Sequence, residues 1–527
     1  MKKLLTLVLS VIAFHAFSQD WRLKTVVLNK KAKQVVFSNI PAFSFVGNKT
    51  LAQRGIYQQL KLNPAFNEQV LAQAPEALQL TIPLGNNQSI TCDLVKFSLG
   101  NIKFTENSTG IINDPKIPVT YRGIVRGEQN KNTVTLTVND DYLALSATME
   151  DKVIQVTKAD ETNSTNYRVY NSAKVNFPVV PFDCGMPERP AQRTASGIDL
   201  TGGSTPTAIR DKCVNVMVDC SDSMYQWRSS SKQSVINYVY ELFNSVATGY
   251  FNDSVNIQIT TINVWTTPSP YRAATRETAL AQVAAYWQDN FFGNICVGLD
   301  YSINGSGRSG LAGGIGKIKA VSTNTCPAYN YSGTDSISAC CYNDLDYNVT
   351  VTNFPTGPNT TQQQVYLVMH EMGHLLGAHH TKWCGWKLTS NPDTYGTIDS
   401  CGKIERVDNS TPPCPQGPPP PANGATIMSY CVTSNLNGNF VSYNNGFGRL
   451  PGNAIRNFID QSACIMLCVD CFGFINNLDN NNAYAYHTGN GPVMNENSSS
   501  QHGTDIPASN SVDSQDEPFI QSQKTKQ

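Results

Sequence analysis

From about Trp21 to Asn171, apolar and polar residues alternate in short runs. Val134, Leu136 and Val138 point one way, with threonines and Asn139 between or beside them, and Val153, Ile154 and Val156 follow after a turn. Alternation with a period of two predicts strands, so this stretch reads as a β-rich unit with a single cysteine, Cys92. From Asp211 the pattern changes. Val214, Val216 and Val218 alternate, and then Val235, Val239, Leu242, Phe243 and Val246 fall at helical spacing. Val255, Ile257 and Ile259 alternate again, and Leu280, Val283, Ala284 and Trp287 mark a second amphipathic helix. Strands alternating with helices predict an α/β domain over 208–471, closing on a helix around Asn453–Gln461. The polar stretch 188–207 between the two units reads as an exposed linker, with Arg189 and Arg193 as candidate processing points. Beyond Phe472 the chain is rich in Asn, Ser, Gly and Gln, and 472–527 reads as a disordered tail. There is no internal repeat.

Composition adds the compartment. The first residues form a basic start (Lys2, Lys3), an apolar run (Leu4 to Phe14) and small residues at Ala16 and Ser18. This is the layout of a signal peptide over 1–18, cut before Gln19. The apolar run is too short for a membrane span, and no later segment is long and apolar enough. An exported chain is expected, and 15 cysteines in 527 residues agree with disulfide cross-linking. Their odd number leaves at least one unpaired within the chain, and the sequence does not give the pairing. A net charge of -1 offers no electrostatic footprint for nucleic acid or an anionic membrane.

The candidate chemistry lies in Thr361–His380, TQQQVYLVMHEMGHLLGAHH. Thr361 and Gln364 have capping-box spacing. Val365, Val368, Met369, Met372 and Leu376 make one apolar stripe, and His370 and His374 stand one turn apart on the opposite face. Gly377 is placed to end the helix, so the chain can turn back and bring His380 to the same metal. Three imidazoles with one open position are the donor set of a catalytic zinc. Glu371, rotated by one residue, is placed to act as general base on water, taking its proton and passing it to the leaving amine. Ordinary core or surface histidines are the alternative, but five fixed positions in a chain with 7 histidines argue against it. The spacing favours His380 over His379 as third ligand.

His-Glu-x-x-His-x-x-Gly-x-x-His resembles the metzincin clan of zinc endopeptidases. The resemblance extends to Thr426–Cys431 (TIMSYC), where Met428 stands for the methionine of the turn beneath the metal. Tyr430 resembles the tyrosine that astacins and serralysins place near the zinc, where it binds the metal or the oxyanion. Phe182–Glu188 (FDCGMPE) resembles the cysteine switch of matrix metalloproteases, in which a thiolate, here that of Cys184, occupies the open position of the zinc. That family has arginine before the cysteine, where this chain has Asp183. A disulfide of Cys184, with Cys92 for example, is the alternative. Val119–Ser146 looks like the β-rich propeptides of reprolysin-type enzymes. Gly310–Ile318 looks like their substrate-lining edge strand.

The resemblance implies a β-rich propeptide over 19–187 and an α/β catalytic domain. That domain would have a twisted, mostly parallel sheet with an antiparallel edge strand, a zinc helix and a small C-terminal subdomain. One zinc ion, protein or peptide substrates and a latent proenzyme follow from it. Thr381 departs from the aspartate, glutamate or serine that adamalysins, astacins and matrix enzymes carry after the third histidine, which leaves the subfamily open. Disulfides are expected among Cys384, Cys401, Cys414 and Cys431, and oxidised pairs rather than a second metal site among Cys464, Cys468 and Cys471. Calcium sites and oligomeric state are not legible. A non-catalytic adhesion or binding protein on the same scaffold is the competing reading, and the retention of Glu371 argues against it.

Overall fold

The computed structural model describes residues 22–468, with its larger gaps at 172–183, 187–197, 302–309, 320–338, 346–361 and 432–440. The N-terminal signal, Arg189, Arg193, Thr361 and the tail lie outside the described residues.

The N-terminal unit is built on a ten-stranded sheet. In spatial order its strands are Ser38–Asn39, Ala77–Gly85, Gln88–Phe97, Val119–Val125, Thr133–Asn139, Tyr142–Thr148, Val153–Lys158, Asn166–Asn171, Gly55–Leu62 and Phe43–Leu51. All neighbours pair antiparallel except Ser38–Asn39 on Ala77–Gly85. Leu80, Ile82, Cys92, Leu94, Val134, Leu136, Val138 and Val156 fill its core. Two helices, Arg22–Ala32 and Pro64–Gln73, accompany it. The second starts on an Asn63 cap whose side chain accepts from the Ala65 N–H, with proline at the first helical position.

The second sheet has seven strands, in the order Gly310–Ala312, Cys340–Asp344, Ile295–Asp300, Cys213–Cys220, Asn256–Val264, Lys103–Glu106 and Gly110–Ile111. The five strands from Cys340–Asp344 to Lys103–Glu106 are parallel, and the outer strand Gly310–Ala312 is antiparallel to its neighbour. The last two strands come from the N-terminal half of the chain. Lys103–Glu106 pairs with Thr261–Val264, so the boundary between the units in space differs from the boundary in sequence.

The helix Lys232–Asn252 runs between the two sheets, and every residue from Val235 to Phe251 is buried. Ser231 caps it, its side chain accepting from the Ser234 N–H, a contact typically worth about 1 kcal/mol. One face packs Val235, Val239, Leu242, Phe243 and Val246 into the main core. Burying each such side chain contributes about 1.5–3 kcal/mol. The helix Gln362–Leu375 packs Val365, Val368, Met369 and Met372 into the same core, Leu376 joins them just past its end, and the Tyr250 hydroxyl donates to the Met369 carbonyl at 2.9 Å. The helix Arg449–Gln461 closes the fold against residues 198–204, part of the stretch that composition marks as linker. Asn453 Nδ2 donates to the Gly202 carbonyl and Asn457 Nδ2 to that of Asp199.

Among the described residues, three disulfides tie the second unit: Cys213–Cys468, Cys384–Cys414 and Cys401–Cys431. Each contributes about 2–4 kcal/mol. Cys468 is therefore oxidised, as expected of it, while Cys464 and Cys471 lie outside the described residues. Cys92 is a free, buried thiol of the first sheet and does not bridge Cys184.

Candidate active site

The helix Gln362–Leu375 ends where Gly377 takes a φ of 101°, a conformation that favours glycine. This turn brings the Ala378 carbonyl back under His374, whose Nδ1 lies 2.7 Å from it. His370 Nδ1 lies 2.8 Å from the Ile427 carbonyl, and His380 Nδ1 lies 2.6 Å from Glu405 Oε1. A carbonyl only accepts, so it holds the proton of His370 and His374 on Nδ1 and makes Nε2 the lone-pair nitrogen of each ring. Glu405 does the same for His380. The residues the sequence singled out as ligands, His370, His374 and His380, therefore meet at one point.

Cys184 joins them. Its Sγ lies 3.6 Å from His374 Nε2 and 3.5 Å from Glu371 Oε2. The ligand atoms of Cys184, His370, His374 and His380 all fall within 4.8 Å of one another, and all four residues are buried. A tetrahedral zinc with ordinary bond lengths separates nitrogen from sulfur by about 3.6 Å and nitrogen from nitrogen by about 3.3 Å. The His374 Nε2 to His380 Nε2 distance is 2.9 Å, so a small opening of that pair completes the cage. The donor set and its spacing fit zinc.

Electrostatics point the same way. Burial first, and then neighbouring charge, hold all three histidines well below their ordinary pKa, so they stay neutral and able to ligate. The Cys184 thiol is pushed well above its ordinary value by burial and then by the Glu371 carboxylate. A thiolate there needs a cation beside it.

Glu371 is fully buried next to the cluster, facing the outer strand at Gly310. A Cβ at Gly310 would lie 2.5 Å from Glu371 Oε1, so glycine is what gives this carboxylate room. Cys184 also forms an isolated parallel bridge with Gly310. Tyr430 donates its hydroxyl proton to the Cys184 carbonyl at 2.8 Å, and its ring lies edge-on to His380. Met428 packs beneath the helix, where a Cβ at Gly373 would come 2.9 Å from its Sδ. The turn carrying Met428 is tied to the cluster through its backbone: Ile427 accepts from His370, and the Met428 carbonyl accepts from the Thr381 N–H at 3.0 Å. His379 stays out of the cluster, stacked on Trp383 at 3.7 Å, with a pKa lowered to about 3 by burial.

Three contributors escape a reading of the sequence. Glu405 lies 25 positions from His380, in a loop with no motif. Trp386 donates its indole N–H to the His380 carbonyl at 2.8 Å. Asp399 bonds the side chains of Thr381 and Ser429, so a carboxylate from another loop braces the turn next to the position that carries Thr381. Only the Cys-rich composition around these residues hinted at a folded floor to the site.

No curated protein matches the chain. Among solved structures, metalloproteinase-II from Bacteroides fragilis aligns at 11% identity and a TM-score of 0.35, covering 59% of this chain and 85% of that one. A chaperone–substrate complex aligns at 14% identity and a TM-score of 0.22, covering 32% of this chain and 24% of that one. Residues 210–440 match the profile of the reprolysin-type metallo-peptidase family M12. That segment carries the three histidines, Glu371, Met428 and Tyr430, and over it this chain is similar to the reprolysin-type metallopeptidases.

Proposed function

We propose that this protein is an exported zinc endopeptidase made as a latent proenzyme, in which Cys184 closes the site. The observation that carries the reading is the convergence of Cys184 Sγ and three imidazoles within 4.8 Å of one another, beside the buried carboxylate of Glu371. His370, His374 and His380 hold the zinc. When bound, the metal supplies Lewis acidity, polarising a substrate carbonyl and acidifying water.

The chain's own residues do the rest. Glu371 accepts a proton from the attacking water at a carboxylate oxygen and delivers it to the departing amine nitrogen, a role that typically contributes about 10²–10⁴ in rate. Tyr430 holds its hydroxyl against the Cys184 carbonyl in the closed state. Once the stretch around Cys184 lifts off the site, the same hydroxyl can donate to the oxygen that gains charge on a substrate carbonyl. Gly310–Ala312 offers an extended edge beside Glu371, suited to a peptide backbone. The N-terminal signal pattern and the three disulfides support export. Residues 19–187 are the pro-unit and 208–471 the catalytic unit, with the zinc helix above a C-terminal subdomain.

The test compares the full chain with its Cys184→Ala variant on an unfolded protein, with zinc content read by mass spectrometry. Both forms should carry one zinc, the full chain should be silent and the variant should hydrolyse. Equal activity in the two forms would remove Cys184 from the account of latency.

A further inference from the structure

The sheet of the catalytic unit is completed by a segment that lies before the linker. Lys103–Glu106 pairs parallel with Thr261–Val264, and the pairing continues at both ends: the Ile259 N–H donates to the Leu99 carbonyl at 2.7 Å and the Asn107 N–H to the Val264 carbonyl at 3.1 Å. Side chains lock the register. Thr105 Oγ1 donates to Asn263 Oδ1, Thr266 Oγ1 donates to Glu106 Oε1, and Lys232 pairs with Glu106 at 2.6 Å. Gly100 runs so close to the strand that a Cβ would meet the Ile259 carbonyl oxygen at 2.6 Å.

The packing is reciprocal. Leu99, Phe104 and Ile112 belong to the main hydrophobic core of the catalytic unit. In return, Phe251 at the end of the helix Lys232–Asn252 fills an apolar cluster of the N-terminal unit with Leu23, Val26, Val27, Val95 and Ile124. Between these two anchors, the outer face of the same helix is buried and polar, and its groups are met. Asn139 Nδ2 donates to Asn237 Oδ1 at 2.8 Å, Arg122 Nε to Asn244 Oδ1 at 3.0 Å, and Asn244 Nδ2 to the Leu136 carbonyl at 3.1 Å.

Removing the N-terminal unit would therefore strip Thr261–Val264 of its neighbour, leaving an open edge on a strand whose residues are all buried. It would also open the main core at Phe104 and expose Phe251. Polar contacts alone exchange readily for water, but an exchanged strand and exchanged aromatic anchors do not.

We infer that residues 99–112 are a donor segment of the catalytic unit, and that the N-terminal unit stays bound after the linker is cut, making the mature protein a two-chain assembly. This rests on the reading of the chain as a processed proenzyme. Its test measures mass rather than hydrolysis, so the two readings fail separately.

A specific protease site is placed in the 188–197 stretch of the full chain, the chain is cut, and the products are run on size exclusion and native mass spectrometry in buffer without denaturant. The two fragments should travel as a one-to-one complex after dilution to nanomolar concentration, and should part only in denaturant. Fragments that separate in native buffer would overturn the inference. Phe104→Asp in the same chain should turn co-elution into separation. If that variant does not fold, the cut parent chain decides the question by itself.

Discussion

Replacing Glu405 probes how the third histidine is held. His370 and His374 each face a neutral backbone carbonyl through Nδ1, whereas His380 faces the carboxylate of Glu405 at 2.6 Å. Lys382 lies 3.1 Å from the same oxygen and 3.5 Å from the centre of the Tyr430 ring, so one carboxylate orients two groups around the metal position. Hydrogen bonds to a charged partner contribute about 1.5–3 kcal/mol, against about 0.5–1.5 for neutral ones. Glu405→Gln keeps an acceptor and loses the charge, a cost of about 1–1.5 kcal/mol, or roughly tenfold weaker zinc binding. Glu405→Ala loses the partner altogether and should weaken zinc by up to about 100-fold, the upper range for such outer partners. The assay is competition with a chromogenic chelator on the Cys184→Ala chain, with thermal unfolding of the metal-free protein as the control for folding. A folded Glu405→Ala protein that binds zinc as tightly as its parent would refute the reasoning.

Other outcomes follow from close contacts and buried charge. Gly373→Ala puts a Cβ 2.8 Å from Phe447 and 2.9 Å from Met428 Sδ, and should cost about 1–3 kcal/mol in thermal or denaturant unfolding. An unchanged midpoint would mean that the turn under the helix gives way freely. Gly310→Ala pushes on Glu371 and should lower hydrolysis by the Cys184→Ala chain at least about tenfold at constant zinc content, since general-base catalysis depends on placement. Loss of zinc in step with activity would contradict this. Burial raises the Asp253 pKa to about 6, against the pull of the Phe447 N–H and Arg456. A carboxyl with a raised folded-state pKa gives its full stability below the unfolded value near 4 and loses it as pH rises through about 6. Asp253→Asn should flatten that part of the stability profile, removing a slope of at most about 1.4 kcal/mol per pH unit. An unchanged profile between pH 4 and 6 would rule out Asp253 as a source, and Asp219, also raised to about 6, would then carry it.

The sequence was most informative where geometry is local. The period of Val214, Val216 and Val218, and that of Val235 to Val246, match a strand and a helix because each pattern reports one buried face. The spacing of His370, His374, Gly377 and His380 carried the cluster for the same reason: a helical turn and a glycine bend are short-range facts. Pro64–Gln73 could have been read from Asn63 and Pro64, a cap followed by proline at the first position. What alternation does not carry is which sheet a strand joins. Lys103–Glu106 has too few residues to declare its partner, and its neighbour Thr261–Val264 lies more than 150 positions away. Glu405 and Asp399 were hidden for a related reason, because contacts from loops to the site depend on closure by the Cys384–Cys414 and Cys401–Cys431 bridges, whose pairing no spacing specifies.

The most direct measurement of the central claim is the rate at which the zinc-loaded Cys184→Ala chain hydrolyses an unfolded protein, taken beside a chelator-treated sample and a Glu371→Gln version of the same chain. The account predicts hydrolysis in the first, none after chelation, and a loss of about 10²–10⁴ in the Glu371→Gln protein, which still binds one zinc. A folded, zinc-loaded chain that cleaves no member of a broad peptide library, or that cleaves equally well without Glu371, would contradict it.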